Sequence, residues 1–122
     1  MSVHQTITIQ TMTDVIRARM EVREAARRIG LDTRDQALIS LAISALSDEL
    51  GWGSGRWKGV ISIEDLEGEE KNGLQVICTF KASSHSEPIV GLSKKVRWMV
   101  DAINFRDLED DQVEVALIKW AA

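Results

Sequence analysis

Apolar residues recur along this chain at two spacings, and the spacing predicts which segments are strands and which are helices. Alternation over residues 7–11 predicts a short, half-buried strand. A spacing of three and four then predicts a helix that begins at a cap, Thr13 or Asp14, and runs to about Ile29. Gly30 follows and ends this helix. Its predicted buried stripe consists of Val15, Ala18, Val22, Ala25 and Ile29.

A second helix is predicted over residues 34–50, with Asp32 or Thr33 as its cap. It is apolar on two rows, which indicates a helix that is covered on two sides. The rows are Leu38, Leu41, Ala42 and Ala45, and Ile39, Ile43, Leu46 and Leu50. The later predicted elements are a glycine turn at 51–55, strands at 60–63 and 74–80 joined by a turn at 68–73, a helix from about Leu92 to Phe105, and a strand at 113–120.

The element order β-α-α-β-β-α-β predicts an α+β two-layer sandwich, with three helices on one face of a mixed, mainly antiparallel sheet. The 122 residues suffice for one domain, 1–122, with its own core. The single cysteine, Cys78, lies in an apolar run, which favours a packed thiol in a reducing compartment. We find no signal peptide and no membrane-length apolar stretch, so the predicted location is the cytoplasm. The net charge of −4 argues against nucleic acid as a partner.

General chemical motifs are scarce. The glycines at 51–55, followed by Lys58, resemble a phosphate loop, but such loops lead from a strand into a helix and this segment has the opposite order. His4 and His85 have no cysteine or carboxylate at ligand spacing, so no metal site is predicted. The run Ser83–Ser86 does not indicate a hydrolase, because catalytic triads are assembled from distant segments.

Two sets of residues each leave two interpretations open. Arg19, Arg23 and Arg27 form a basic ridge on the first helix, which is either a solvated surface or a docking surface. The tryptophans either pack in the core and at its rim or anchor a partner protein. They are Trp52, Trp57, Trp98 and Trp120.

Several runs near the start and at the end of the chain resemble a known family. They are Asp14-Val15-Ile16-x-Ala18-Arg19, Arg23-x-Ala25-Ala26, Ile29-Gly30-Leu31, Asp35-Gln36-Ala37-x-Ile39, Ala42-Ile43-Ser44 and Val115-Ala116-Leu117-Ile118-Lys119-Trp120. The sequence there resembles the first two helices and the closing strand of RsbT-like serine kinases. These are anti-sigma factor regulators of the GHKL superfamily, and the resemblance implies their Bergerat fold and a role in stress-response signalling.

The family's second helix carries a Glu that acts as catalytic base and, four residues later, an Asn that helps to hold magnesium. The matching positions here are Ala45 and Glu49. Alanine has no proton acceptor. The Glu49 carboxylate is able to ligate a cation, but it also places a negative charge where the triphosphate of ATP would lie. These departures imply that the base is lost.

The family's next motif is an Asp that binds the adenine amino group, followed by glycines. The run from Thr79 to Ser86 contains neither residue type, and Phe80 or Lys81 takes the adenine-reading position according to a one-residue choice of alignment. The glycine-rich lid of the family is essentially deleted. Trp52, one turn beyond Glu49, would fill space that a nucleotide uses. The expected remnant of the nucleotide pocket is therefore Ala45, Glu49, Trp52, Phe80 and Lys81, with no catalytic or metal-binding residue.

The resemblance and its departures predict a pseudokinase: a non-catalytic protein-binding module of a partner-switching or stressosome-type system. Its expected partner is a STAS-domain antagonist, a sigma factor or a PP2C-type phosphatase, and no cofactor is expected. The alternative is an active serine kinase that uses Mg-ATP to phosphorylate a STAS-domain antagonist. A third hypothesis is a homodimer unrelated to partner switching.

Overall fold

The computed structural model describes residues 4–50, 54–81 and 94–121. Its elements are β1 (His4–Thr11), α1 (Met12–Arg28), α2 (Thr33–Leu50), β2 (Ser54–Glu67), β3 (Asn72–Lys81), β4 (Ala102–Asp107) and β5 (Gln112–Trp120), with further helical residues at 94–96. The strands form one sheet in the order β1-β2-β3-β5-β4, and each described neighbouring pair is antiparallel. The predicted α+β two-layer fold is confirmed.

One core lies between the helices and one face of the sheet. The strands contribute alternate residues to it, because successive side chains of a strand point to opposite faces. The buried strand residues are Ile7, Ile9, Ile61, Ile63, Leu74, Val76, Cys78, Phe80, Val113, Val115 and Leu117. Helix α1 covers them with Val15, Ala18, Val22, Ala25 and Ala26, while Ile29 packs at the margin. The predicted stripe of α1 is therefore confirmed.

Helix α1 begins earlier than predicted, at a set of reciprocal hydrogen bonds. The N-cap is Thr11, not Thr13 or Asp14, and Asp14 is the third helical residue. The Asp14 backbone N–H donates to Thr11 Oγ1 at 3.3 Å, while the backbone N–H groups of Gln10 and Thr11 donate to Asp14 Oδ2 at 2.9 and 3.0 Å. This capping box satisfies N–H groups that a helix start would otherwise leave unpaired. Gly30, at φ 96°, ends the helix as predicted.

The Asp14 carboxylate makes stability depend on pH. Hydrogen bonds from the backbone of Gln10 and Thr11 stabilise its ionised form and lower the pKa of Asp14 in the folded state. The resulting stability is complete above the unfolded pKa of about 3.9 and is lost as the pH falls through the lower folded pKa. We expect Asp14→Asn to reduce the free energy of unfolding at neutral pH and to cost progressively less below about pH 4. Urea unfolding of both proteins across this range measures the difference, and a constant difference would contradict the prediction.

The predicted helix from Leu92 to Phe105 is wrong over its second half. The described helical residues stop at 96, a turn follows, and Ala102 begins β4. Val96, Met99, Val100 and Ile103 are spaced as in a helix and all reach the core, which explains the wrong prediction. The chain extends instead because the outer edge of β5 needs a hydrogen-bonding partner. The Asp101 N–H donates to the Ile118 carbonyl at 2.8 Å, and Ala102 to Asp107 then pair with β5.

Two further predictions differ in extent. Strand β2 begins at Ser54, so Gly55 belongs to a strand and not to a turn; Gly51 and Gly53 lie outside the described residues. Helix α2 buries Ile39, Ala42, Ile43 and Leu46, but Leu41 is exposed. Both predicted rows therefore reach the core, since Leu38 and Ala45 also pack against it, and Leu41 is the exposed exception. Its predicted cap is confirmed at Asp32, whose Oδ1 accepts from the Asp35 N–H at 2.8 Å.

Candidate functional site

Helix α2 carries Ala45 and Glu49, the two positions that the resemblance matches to a catalytic base and a magnesium-binding residue. Ala45 is partly buried and packs against the core. The backbone of Glu49 lies one helical turn later, in the same helix. Residues four apart share a helix face, so the expected juxtaposition of the two positions is present in the backbone. The polar residue next to Ala45 is Ser44, whose hydroxyl is buried without a hydrogen-bond partner among the described residues.

Strand β3 places the two candidates for the adenine-reading position on opposite faces of the sheet. Phe80 is 1% exposed and lies on the face of the sheet that the helices cover. Lys81 is the last residue of β3, opposite Gln112 of β5, and it is exposed. The alternation of the strand therefore places Phe80 in the core that Ala45 packs against, and Lys81 on the surface.

Two of the expected pocket residues, Ala45 and Phe80, offer no polar side-chain group to a magnesium nucleotide. Ala45 presents a methyl group and Phe80 a buried phenyl ring, and neither group ligates a cation or accepts a proton. Within the described ranges, no cluster of three His, Cys, Asp or Glu side chains is placed to hold a metal ion. Neither of the two described cavities is lined by Ala45 or Phe80.

Some of the residues singled out in the sequence cannot be placed. Trp52, His85 and the run 83–86 lie outside the described residues, as does the side chain of Trp57. Trp98 is strongly exposed, so it does not pack in the core. Trp120 is half-buried at the end of β5, with Lys71 Nζ 5.9 Å from the centroid of its ring.

Cys78 is fully buried, which raises the pKa of its thiol and leaves it unreactive, as the sequence predicted.

A cluster of charges joins the start of α2 to the end of β5. Lys119 Nζ lies 3.4 Å from Asp35 Oδ1 and 3.6 Å from Asp101 Oδ1. Asp101 Oδ2 also accepts a hydrogen bond from the Trp120 backbone N–H at 2.7 Å. Each carboxylate therefore has a partner, and the cluster connects α2, β5 and the segment before β4. This arrangement fits a structural role, because it presents a paired ammonium and no free base.

The wider of the two described cavities lies where α1 ends against the turn between β2 and β3. Its volume is about 470 Å³. Arg28 and Asp65 form an ion pair in its wall, with Arg28 Nη2 3.2 Å from Asp65 Oδ1. The other lining residues are Ile29, Leu66, Glu67, Gly68 and Asn72. Its arginine is already neutralised, so the arginine does not offer a free charge to a ligand.

A second cavity, of about 210 Å³, lies between α1 and α2 on the outer side of the helical layer. Its lining residues are Ile16, Arg19, Met20, Arg23 and Ser40. We call it the α1–α2 groove. The sequence drew attention to the arginines but not to the apolar residues between them. The signal was available, because Met12, Ile16 and Met20 recur at intervals of four and form a row distinct from the buried stripe.

Comparison with known proteins gives one indication of relationship. No family model matches the chain. The chain is 28% identical to the serine/threonine-protein kinase RsbT of Bacillus subtilis over 127 aligned residues, which cover 93% of this chain and 94% of RsbT. The similarity therefore extends over most of the chain. It agrees with the resemblance to RsbT-like kinases that the sequence runs indicated.

Proposed function

We propose that this chain is a non-catalytic, RsbT-like protein-binding module of a bacterial partner-switching or stressosome-type signalling system. One observation carries the proposal: Ala45, which the resemblance matches to the catalytic base, packs against the core and has no proton acceptor. Its proposed partner is a STAS-domain antagonist, a sigma factor or a PP2C-type phosphatase. This proposal places the chain in the cytoplasm and in the GHKL superfamily, as a degenerate member without a cofactor.

Two further features support the loss of ATP handling. Phe80 is buried in the core beneath the helices, so one candidate for the adenine-reading position has no polar group to offer. Lys81, the other candidate, has no oxygen in its side chain that could accept a hydrogen bond from an adenine amino group. We infer that the remnant pocket of Ala45, Glu49, Trp52, Phe80 and Lys81 serves the fold rather than chemistry. No helix among the described residues is both long and apolar enough to cross a membrane.

Titration with Mg-ATP tests the proposal. We expect no binding in the micromolar range by isothermal calorimetry, because the chain lacks the base, the adenine-binding Asp and the lid. We expect no phosphate transfer to a STAS-domain serine. RsbT of Bacillus subtilis is the positive control in both assays. Binding in the micromolar range or phosphorylation of the STAS-domain protein would refute the pseudokinase assignment.

A double variant tests whether the missing base alone accounts for the expected lack of Mg-ATP binding. Ala45→Glu with Glu49→Asn restores the residue types that the family carries at these positions. We expect this variant also to fail in the calorimetric titration, since the run from Thr79 to Ser86 still contains no Asp and no Gly. Recovery of Mg-ATP binding would mean that the nucleotide pocket is intact and only the base was lost.

The alternative function is an active serine kinase, and the similarity to RsbT, itself a serine/threonine-protein kinase, favours it. This alternative predicts phosphorylation of a STAS-domain serine by the unaltered chain. It also requires a proton acceptor other than residue 45. The phosphorylation assay therefore distinguishes the two functions directly.

A further inference from the structure

Helix α1 exposes a row of large apolar side chains on the side away from its buried stripe. Met12, Ile16 and Met20 are 54, 51 and 68% exposed, and their spacing of four places them along one face. Single exposed apolar residues are common, but a continuous row on one helix face is typical of a surface that binds another protein. Methionine is well suited to such contacts, because its side chain adapts to different partners.

The α1–α2 groove continues this row and adds charge to it. Arg19 and Arg23 line the groove beside Ile16 and Met20, and Ser40 of α2 forms its other wall. In the part of the chain that the structure describes, neither Arg19 nor Arg23 has an ion-pair partner. The contrast is clear along the same helix, where Arg27 pairs with Glu24 at 2.6 Å.

The unpaired arginines indicate the charge of the occupant. Guanidinium groups bind carboxylates through two parallel hydrogen bonds, and this pairing is stronger than one between neutral groups. The chain carries a net charge of −4, yet Arg19 and Arg23 place two cations without ion-pair partners among the described residues beside this apolar row. Nucleic acid does not fit, because binding to phosphates relies on many clustered cations and not on an apolar groove.

We propose that the α1–α2 groove binds an acidic, amphipathic segment of a protein partner. Apolar side chains of the segment pack on Ile16 and Met20, and its flanking carboxylates pair with Arg19 and Arg23. This geometry corresponds to an amphipathic helix lying in a groove, with anchors one turn apart. The assignment rests on the proposed function as a binding module and identifies its binding surface. It also assigns the residues of the basic ridge to the two interpretations. Arg19 and Arg23 belong to the docking surface, while Arg27 is a solvated surface residue that pairs with Glu24.

The test uses two synthetic helical peptides of equal length with leucines one turn apart. One peptide carries glutamates beside the leucines and the other carries lysines at the same positions. Titration into the 15N-labelled full chain, followed by NMR, reports both affinity and location. We expect only the acidic peptide to bind, to shift the resonances of Ile16, Met20 and Ser40, and to bind more weakly as salt is added.

Two charge-reversal variants serve as a matched pair. Arg19→Glu with Arg23→Glu changes the groove, whereas Arg17→Glu with Arg27→Glu makes the same change in net charge at other exposed positions of α1. We expect the groove variant to weaken binding of the acidic peptide by about tenfold or more and the control to change it by less than about twofold. Circular dichroism checks that both variants fold.

Four outcomes would overturn the inference: no binding of the acidic peptide, equal binding of the lysine peptide, an equal loss in the control variant, or shifts located elsewhere. Self-association in sedimentation that the groove variant abolishes would also overturn it, because the occupant would then be a second copy of this chain. Failure of the groove is distinguishable from failure of the proposed function. If neither the acidic peptide nor Mg-ATP binds, only the groove assignment fails. If Mg-ATP binds, the proposed function is refuted, whatever the peptides do.

Discussion

Replacement of Phe80 by alanine is expected to lower the free energy of unfolding by about 3–5 kcal/mol. Phe80 is 1% exposed and is among the largest fully buried side chains of the described core. Its removal loses the transfer free energy of the ring and leaves a cavity that the surrounding sheet and helices fill only in part. Urea unfolding at neutral pH measures the change.

Phe105 is a matched control for this substitution, because it is the other phenylalanine of the chain and lies on the edge strand β4. It is 36% exposed, so Phe105→Ala is expected to cost less than about half as much as Phe80→Ala. Equal costs for the two variants would show that Phe80 does not fill the core as described. If the proposed function is correct, Phe80→Ala will also fail to bind Mg-ATP, since a cavity supplies neither a base nor a lid.

Replacement of Gly73 by alanine is expected to destabilise the fold by about 1–3 kcal/mol. Gly73 lies opposite Trp120 in the register of β3 and β5. A methyl group at Gly73 would lie 2.5 Å from Trp120 Cε3 and 2.9 Å from Cζ3, closer than carbon atoms approach without displacement. The indole ring must therefore move, and its movement also breaks the contact with Lys71.

A double-mutant cycle isolates the contribution of the ring. In a Trp120→Ala background the clash is absent, so the additional cost of Gly73→Ala should fall well below its cost in the natural sequence. The Lys119 carbonyl oxygen would lie 3.1 Å from the added methyl group, and this contact persists in both backgrounds. An undiminished cost in the alanine background would assign the effect to the backbone and not to the ring.

Local sequence signals were sufficient for much of this fold. The periodic apolar stripe of α1, the cap at Asp32 and the stop at Gly30 are short-range features, determined by residues within one or two turns. The same reasoning failed at residues 102–107, because Val96, Met99, Val100 and Ile103 have helical spacing. The extended conformation there depends on the unpaired edge of β5, a separate strand that follows later in the chain.

The candidate site also has one feature that the sequence predicts and one that it does not. The relation between Ala45 and Glu49 followed from helical spacing alone. The difference between Phe80 and Lys81 did not, because a one-residue shift along a strand moves a side chain to the opposite face and only the pairing of β3 decides which face is covered. The similarity to RsbT covers 93% of this chain.

The sequence by itself determined the α+β class, the buried stripe and the end of α1, the packed thiol of Cys78 and the absence of a proton acceptor at position 45. These properties depend on residue type and on neighbours along the chain. Only the tertiary structure decided that Phe80 is buried and that β4 exists. It also decided that, among the described residues, Arg27 has an ion-pair partner while Arg19 and Arg23 beside the apolar groove have none. The physical reason is that burial, strand pairing and ion pairing are set by which surfaces meet in space, and distant segments of the chain supply those surfaces.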